Sequence, residues 1–130
     1  MQDLLKLMQG DGADFTLTFR RLADSTDGEA AARGLFTNTS AFDAWTERWR
    51  QRLSQEIEPV QVMRAVNPAF IPRNHLVEAA LNAAIAHSDY KPFEELLAVL
   101  SRPYEDDPAL VRFATPPRHE ERVLQTFCGT

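Results

Sequence analysis

The sequence predicts an all-α fold, a small irregular array of about five to seven short helices. Apolar residues recur at three- and four-residue spacing through most of the 130 residues, which is typical of amphipathic helices. Proline and glycine interrupt that pattern at short intervals, and no stretch alternates apolar and polar residues over the length of a strand. We therefore expect helices joined by ordered turns and no sheet.

The first two helices are predicted near the start of the chain. A short helix begins around Leu4 and ends at Gly10-Asp11-Gly12, because glycine readily terminates a helix. Asp14 then follows, and its side chain is of the type that caps the first turn of a second helix. Residues 24–39 are rich in Asp, Gly, Ser, Thr and Ala, which indicates a loop with one helical turn at residues 29–33.

The longest helix is predicted from residue 40 onward. Ser40 and Asp43 resemble a capping box in which Asp replaces the usual Glu. Large apolar residues follow at helical spacing: Phe42, Trp45, Trp49 and Leu53. Such a stripe is usually core, and the alternative is an exposed face that docks a partner protein.

Proline marks the remaining elements. Pro59 fits the first turn of a helix over 59–66, and three of its apolar residues are expected to face inward: Val60, Met63 and Val66. A further helix is predicted over 75–87 with a face of small residues. Pro92 opens the next helix, whose apolar face is expected to comprise Phe93, Leu96, Leu97 and Leu100. A last short turn starts at Pro108, so the chain divides into a helical segment, 1–118, and an irregular tail, 119–130, that ends close to a cysteine.

Composition narrows the class of protein. The net charge of −5 leaves no excess of cations to neutralise phosphates, so a nucleic-acid partner is not expected. No apolar run approaches the roughly 20 residues that span a bilayer, and no cleavable leader is recognised, so we expect a cytoplasmic protein without a membrane partner. The single cysteine, Cys128, rules out an internal disulfide framework.

Patterns that bind nucleotides or metals are missing from the sequence. Gly10-Asp11-Gly12 lacks the further glycines, the lysine and the preceding strand of a phosphate-binding loop, and a helix stop is the better interpretation. His75 with Glu78, or His119 with Cys128, supplies two ligands at most, whereas a zinc site needs three or four. We expect no catalytic, cofactor-binding or metal-binding residue in this chain.

The stretch Asn67-Pro68-Ala69-Phe70-Ile71-Pro72-Arg73-Asn74 is an ordered turn, because its two prolines remove donors and disfavour helix in the residues before them. Within it, Asn74 is suited to cap the following helix and Arg73 to bond carbonyls or a carboxylate. We interpret Asn67, Arg73 and Asn74 as a structural turn lock, and a ligand contact is the alternative.

Three stretches together resemble the C-terminal region of the selenoprotein O family (SelO, YdiU, UPF0061). They are the Asn67–Asn74 turn, Leu100-Ser101-Arg102-Pro103-Tyr104 with the acidic turn after it, and the terminus Thr126-Phe127-Cys128-Gly129-Thr130. Family members carry Cys or selenocysteine two residues before their terminus. The segments Asp14–Arg20 and Phe42–Trp45 also fit, so the similarity covers nearly the whole chain, although many members end in two serines where this chain has Gly129-Thr130.

The resemblance implies a parent protein with a kinase-like pseudokinase fold. That family transfers AMP from ATP to Ser, Thr or Tyr hydroxyls of proteins, a reaction called AMPylation, with a divalent metal such as Mg²⁺. Its nucleotide- and metal-binding residues match no position here. Only Cys128 matches a functional element, which implies a redox-regulatory role through a disulfide to a cysteine that this chain lacks.

Two hypotheses follow. The first is a non-catalytic helical segment whose partner is the kinase-like core of the same family, with self-association when that core is missing. The second is an autonomous helical protein–protein interaction module that uses the helix of Trp45 and Trp49. A stand-alone small enzyme is disfavoured, because no nucleophile–base or acid–base arrangement emerges from the sequence.

Overall fold

The computed structural model describes residues 2–24 and 28–125 and is all-α in this part, which confirms the predicted fold class. Within these described residues, eight α-helices follow one another: α1 (Gln2–Asp11), α2 (Phe15–Leu22), α3 (Gly28–Arg33), α4 (Thr39–Leu53), α5 (Pro59–Val66), α6 (Asn74–His87), α7 (Lys91–Leu100) and α8 (Val111–Ala114). Single 3-10 turns cover Pro108–Leu110 and His119–Glu121. The two shortest helices, α3 and α8, fall where the sequence predicts single helical turns.

Contacts between residues divide the chain into two compact units, Met1–Pro68 and Ala69–Thr130. The first unit holds α1 to α5 around an aromatic core: Leu4, Met8, Leu22, Ala32, Phe36, Phe42 and Trp45. The second holds α6, α7 and α8 around a smaller core: Ala69, Phe70, Leu96, Val99 and Phe113. The predicted boundary between residues 118 and 119 separates a helical segment from an irregular tail, not two compact units. It stays a prediction.

Local sequence signals set most helix ends of the first unit. Gly12 has a φ of 65°, a left-handed conformation that glycine adopts without strain, and α1 ends directly before it as predicted. The Asp14 carboxylate accepts a hydrogen bond from the Leu17 amide over 2.8 Å, which confirms it as the cap of α2. Pro59 stands in the first turn of α5, also as predicted.

The predicted capping box at Ser40 is wrong. The cap of α4 is Asn38, whose side-chain oxygen accepts from the Ala41 amide over 3.2 Å, and Ser40 already lies inside the helix. Asp43, the other half of the predicted box, instead accepts two hydrogen bonds from the Arg33 guanidinium, over 2.7 and 2.9 Å. Both Asn38 and Ser40 are competent caps, and the earlier one allows two more residues into the helix.

Two predicted apolar faces differ from the structure. Val66 was expected to face inward but is 65% exposed, and α5 has no fully buried residue. On α7 the buried residues are Leu96 and Val99, whereas Phe93 and Leu97 are 47% and 58% exposed. Periodicity identifies an amphipathic helix, but it does not say which of its apolar residues the rest of the chain covers.

Candidate functional site

The main concave feature of the first unit is an apolar groove of about 490 Å³, here called the tryptophan groove. Residues of four helices and the turn after α5 line it: Asp3, Leu4, Phe19, Leu22, Trp45, Arg48, Trp49, Arg52, Met63, Val66 and Asn67. A volume of this size is in the range that accepts one or two large side chains or a small molecule. It is therefore the candidate binding surface of this unit.

The stripe of α4 is core at one end and groove wall at the other. Phe42 is 1% exposed and stacks on Phe36 with ring centroids 4.5 Å apart. Trp45 is buried, and Trp49, one turn on, is half-buried and stacks on Trp45 at 5.8 Å with the ring planes 18° apart. The core interpretation of the stripe is supported for Phe42 and Trp45. Docking of a partner protein at Trp49 stays a prediction.

The groove has a cationic rim. Arg48 and Arg52 lie one turn apart on α4, and their side chains are 60% and 74% exposed. Arg48 pairs with Asp3 over 3.2 Å, and Arg52 pairs with Glu56 over 2.8 Å. Ion pairs so exposed contribute little to stability, so these guanidinium groups can exchange partners at small cost.

Asn67 ends α5 and is held by an arginine from another helix. Its side-chain amide donates to the Met63 carbonyl over 2.8 Å, and its own carbonyl accepts from Arg20 Nη1 over 2.8 Å. Arg20 also donates to the Arg64 carbonyl over 3.2 Å and is only 4% exposed. In the sequence, Arg20 stands out only as part of a stretch that resembles the family, because a partner 47 residues away leaves no signal in local spacing.

The other two residues of the predicted turn lock belong to the second unit. Arg73 occupies the N-cap position of α6 and is 6% exposed, and Asn74 is the first residue of that helix rather than its cap. Earlier in the turn, the amides of Ala69 and Phe70 both donate to the Pro103 carbonyl, over 2.7 and 3.1 Å. That carbonyl ties together two of the stretches that carry the family resemblance. The functional role of the lock stays a prediction.

Glu121 and Asp11 are among the carboxyl groups whose pKa is lowered by hydrogen bonds. Glu121 accepts from the Arg118 side chain and from the Arg118 amide, and these bonds lower its pKa from 4.5 to about 2. Hydrogen bonds from the Asn38 amide and the Thr37 hydroxyl lower the pKa of Asp11. The Glu121 bonds hold one turn together, whereas the Asp11 bonds join the end of α1 to the residues just before α4.

No group of three or more His, Cys, Asp or Glu residues suited to a metal ion occurs among residues 2–24 and 28–125. Gly10 and Gly12 lie at the end of α1 and not in a phosphate-binding loop. Cys128 lies outside the described residues. Within those residues no helix combines the length and the apolar character needed to cross a bilayer.

The geometry defines an all-helical segment, described over residues 2–24 and 28–125, with an apolar groove in its first unit. Comparison with known proteins assigns this segment. The family model described as "Protein adenylyltransferase SelO" matches residues 1–101. The chain belongs to the SelO family, as its resemblance predicts.

Curated relatives agree with this assignment. The chain is 54% identical to a "Protein nucleotidyltransferase YdiU" of Bradyrhizobium sp. over 99% of its own length and 28% of the relative's. It is 56% identical to the protein of that name from Nitrobacter winogradskyi, over 98% of this chain and 26% of the relative. The protein of that name from Methylorubrum populi is 51% identical over 98% of this chain and 28% of its own length. The chain thus spans less than a third of the relatives that it matches.

Proposed function

We propose that this chain is a non-catalytic helical segment that packs on, and supports, the AMP-transferring core of a SelO-family protein. In this proposal ATP and Mg²⁺ are bound by that core and not by the segment. Family membership and the short span relative to the relatives support the assignment.

One structural observation carries the proposal. The helices α6 and α7, together with the residue before α7, leave large apolar side chains uncovered: Leu81, Ile85, Tyr90, Phe93 and Leu97. Ile85 is 82% exposed, and Leu81 lies one turn before it on the same helix. Scattered single apolar residues are normal on a protein surface, but stripes on two neighbouring helices are typical of an interface. The missing remainder of the family protein is the partner that this surface fits.

The test uses the Bradyrhizobium relative with its matching segment replaced by this chain, here called the chimera. We expect the chimera to transfer labelled AMP from ATP to protein, and we expect deletion of the segment to lower that rate about tenfold or more. The decisive variant is Ile85→Asp, which places a carboxylate in the proposed interface and should lower the melting temperature of the chimera. Ile57→Asp is the matched control, because Ile57 is 87% exposed in the turn between α4 and α5. Full activity without the segment would contradict the proposal.

A redox role for Cys128 is the finer part of the proposal and rests on the family resemblance. Two thiols, Cys128 and a cysteine of the core, would lose two electrons and two protons to an added disulfide oxidant and form one disulfide. Mass spectrometry of the oxidised chimera should find the Cys128 peptide linked to a core peptide. A Cys128→Ser chimera should keep its AMP-transfer activity in reducing buffer and lose the response to oxidant.

The tryptophan groove keeps the second hypothesis, an autonomous interaction module, open to experiment. That hypothesis expects the isolated chain to bind a partner other than the core and the chimera to gain nothing from the segment. Genomic DNA that encodes a kinase-like core directly before Met1 would favour the first hypothesis. A full-length relative that is active without the segment would favour the second.

A further inference from the structure

We infer that the tryptophan groove is filled, in the whole family protein, by an apolar side chain with a neighbouring carboxylate from the polypeptide outside this chain. This inference rests on the proposed function and identifies a second contact, separate from the α6 and α7 surface. Three observations support it: an incomplete apolar wall, a cationic rim, and the amount of family sequence that lies beyond this segment.

The wall of the groove is incomplete where α5 forms it. Met63 is half-buried and Val66 is 65% exposed, although both line the groove. On the opposite side Trp49 is only half-buried, whereas Trp45 beneath it is 8% exposed. Displacing water from these apolar side chains is favourable, so an apolar occupant is preferred over a polar one.

The rim determines the charge of the occupant. Arg48 and Arg52 stand beside the apolar floor, and the acidic group on that rim is Asp3, which pairs with Arg48. The pair of Arg52 is with Glu56, outside the groove lining. When the apolar side chain of the occupant enters the groove, its neighbouring carboxylate would pair with Arg52. This ion pair would fix the position of the occupant as well as add affinity. An incoming Lys or Arg at the same place would be repelled.

The source of the occupant follows from the span of the chain. It covers 26% to 28% of the first two relatives, so most of a family protein lies outside it. A surface that is apolar, concave and uncovered within the first unit is the expected binding site for part of the remainder. A second copy of this chain is the competing occupant, and the experiment distinguishes the two.

The experiment introduces a thiol at each of two valines of α5 in turn. It compares the reactivity of each thiol in two samples, the isolated chain and the chimera. In a Cys128→Ser background, Val66→Cys places a thiol in the groove, and Val62→Cys places one outside it on the same helix. Both valines are exposed, at 65% and 58%, so neither change removes a core side chain. Maleimide labelling is followed by peptide mass spectrometry, which separates these thiols from the cysteines of the relative.

In the isolated chain at low concentration both thiols should react at similar rates. In the chimera the Val66→Cys thiol should react at least about tenfold more slowly, and the Val62→Cys thiol should change less than about threefold. Adding Arg52→Glu should reduce the protection of the Val66→Cys thiol, whereas Arg102→Glu, an exposed arginine of the second unit, should not.

Three outcomes would overturn the inference. Equal labelling of the Val66→Cys thiol in both samples would show that the groove stays open. Protection in the isolated chain that rises with its concentration would identify a second copy as the occupant. Unchanged protection with Arg52→Glu would show that no carboxylate of the occupant pairs with Arg52. An unprotected groove in a chimera that needs the segment for activity would refute this inference alone, whereas full activity without the segment would refute the proposed function.

Discussion

Arg20 and Arg64 cap each other's helices. Arg20, on α2, donates to the carbonyls of Arg64 and Asn67 at the end of α5, and Arg64 Nε donates to the Ala23 carbonyl at the end of α2 over 3.2 Å. Arg64 also pairs with Asp24 over 2.9 Å. The last carbonyls of a helix have no partner within it, and cations are favourable near that end. The two arginines thus join α2 and α5 at their C-terminal ends.

The two arginines should nevertheless contribute unequally to stability. Arg20→Met removes a buried guanidinium that donates to two part-buried carbonyls and should lower the free energy of unfolding by about 2–3 kcal/mol. Arg64→Met should cost less than about 1 kcal/mol, because the Arg64 side chain is 46% exposed and water can replace its hydrogen bonds. Urea unfolding followed by far-UV circular dichroism measures both. Equal losses would show that burial does not distinguish the two.

The cap of α4 provides a second prediction. Asn38→Ala removes the acceptor for the Ala41 amide and should destabilise the chain by about 1 kcal/mol. Ser40→Ala changes an exposed residue inside the helix and should stay within about 0.5 kcal/mol. The same urea experiment decides between them, and a larger effect at Ser40 would restore the capping box that the sequence suggested.

The end of α6 provides a third prediction, about stability. Ser88 closes this helix with φ 52° and ψ 30°, a left-handed conformation that costs energy for any residue with a Cβ. Ser88→Gly should therefore stabilise the chain by about 0.5–1 kcal/mol in thermal or urea unfolding. Ser54→Gly is the control: Ser54 ends α4 at φ −64°, where glycine brings only added freedom in the unfolded chain and should destabilise. A stabilising Ser54→Gly would contradict this account.

The fourth prediction concerns pH. The Arg118 side chain and amide lower the pKa of Glu121 to about 2 in the folded chain. A carboxylate with a lowered folded pKa contributes stability that is complete above its ordinary pKa of 4.5 and is lost as the pH falls towards 2. Carbon-13 NMR titration of the Glu121 carboxyl measures this pKa directly. Arg118→Met should move it up towards its ordinary value, whereas Arg122→Met should leave it low.

Local features of the sequence predicted the local structure well. Asp14, Gly12 and Pro59 act on residues within one turn of themselves, so their effects on helix ends are readable from neighbours alone. Asn38 and Ser40 show the limit of that reading, because two competent caps stand two residues apart and the choice depends on how α4 meets the rest of the first unit. Val66 shows another limit, since its spacing fits an inward face that the chain leaves open.

The candidate site was harder to predict than the fold. The stripe of Trp45 and Trp49 was visible in the spacing, but the groove also needs Leu4, Phe19 and Met63 from three other helices. The contact of Arg20 with Asn67 joins positions 47 residues apart, and only the packing of α2 against α5 brings them together. Such long-range contacts are set by tertiary structure and leave no periodic signal.

The stacking of Trp45 on Trp49 has an optical consequence. These are the two tryptophans of the chain, and both line the same groove with ring centroids 5.8 Å apart. Indoles this close share excitation, so their emission and near-ultraviolet circular dichroism depend on one small region of the surface. The chain thus carries an intrinsic fluorophore pair at its groove. Entry of a side chain there changes the emission wavelength and intensity of the tryptophan fluorescence without any attached dye.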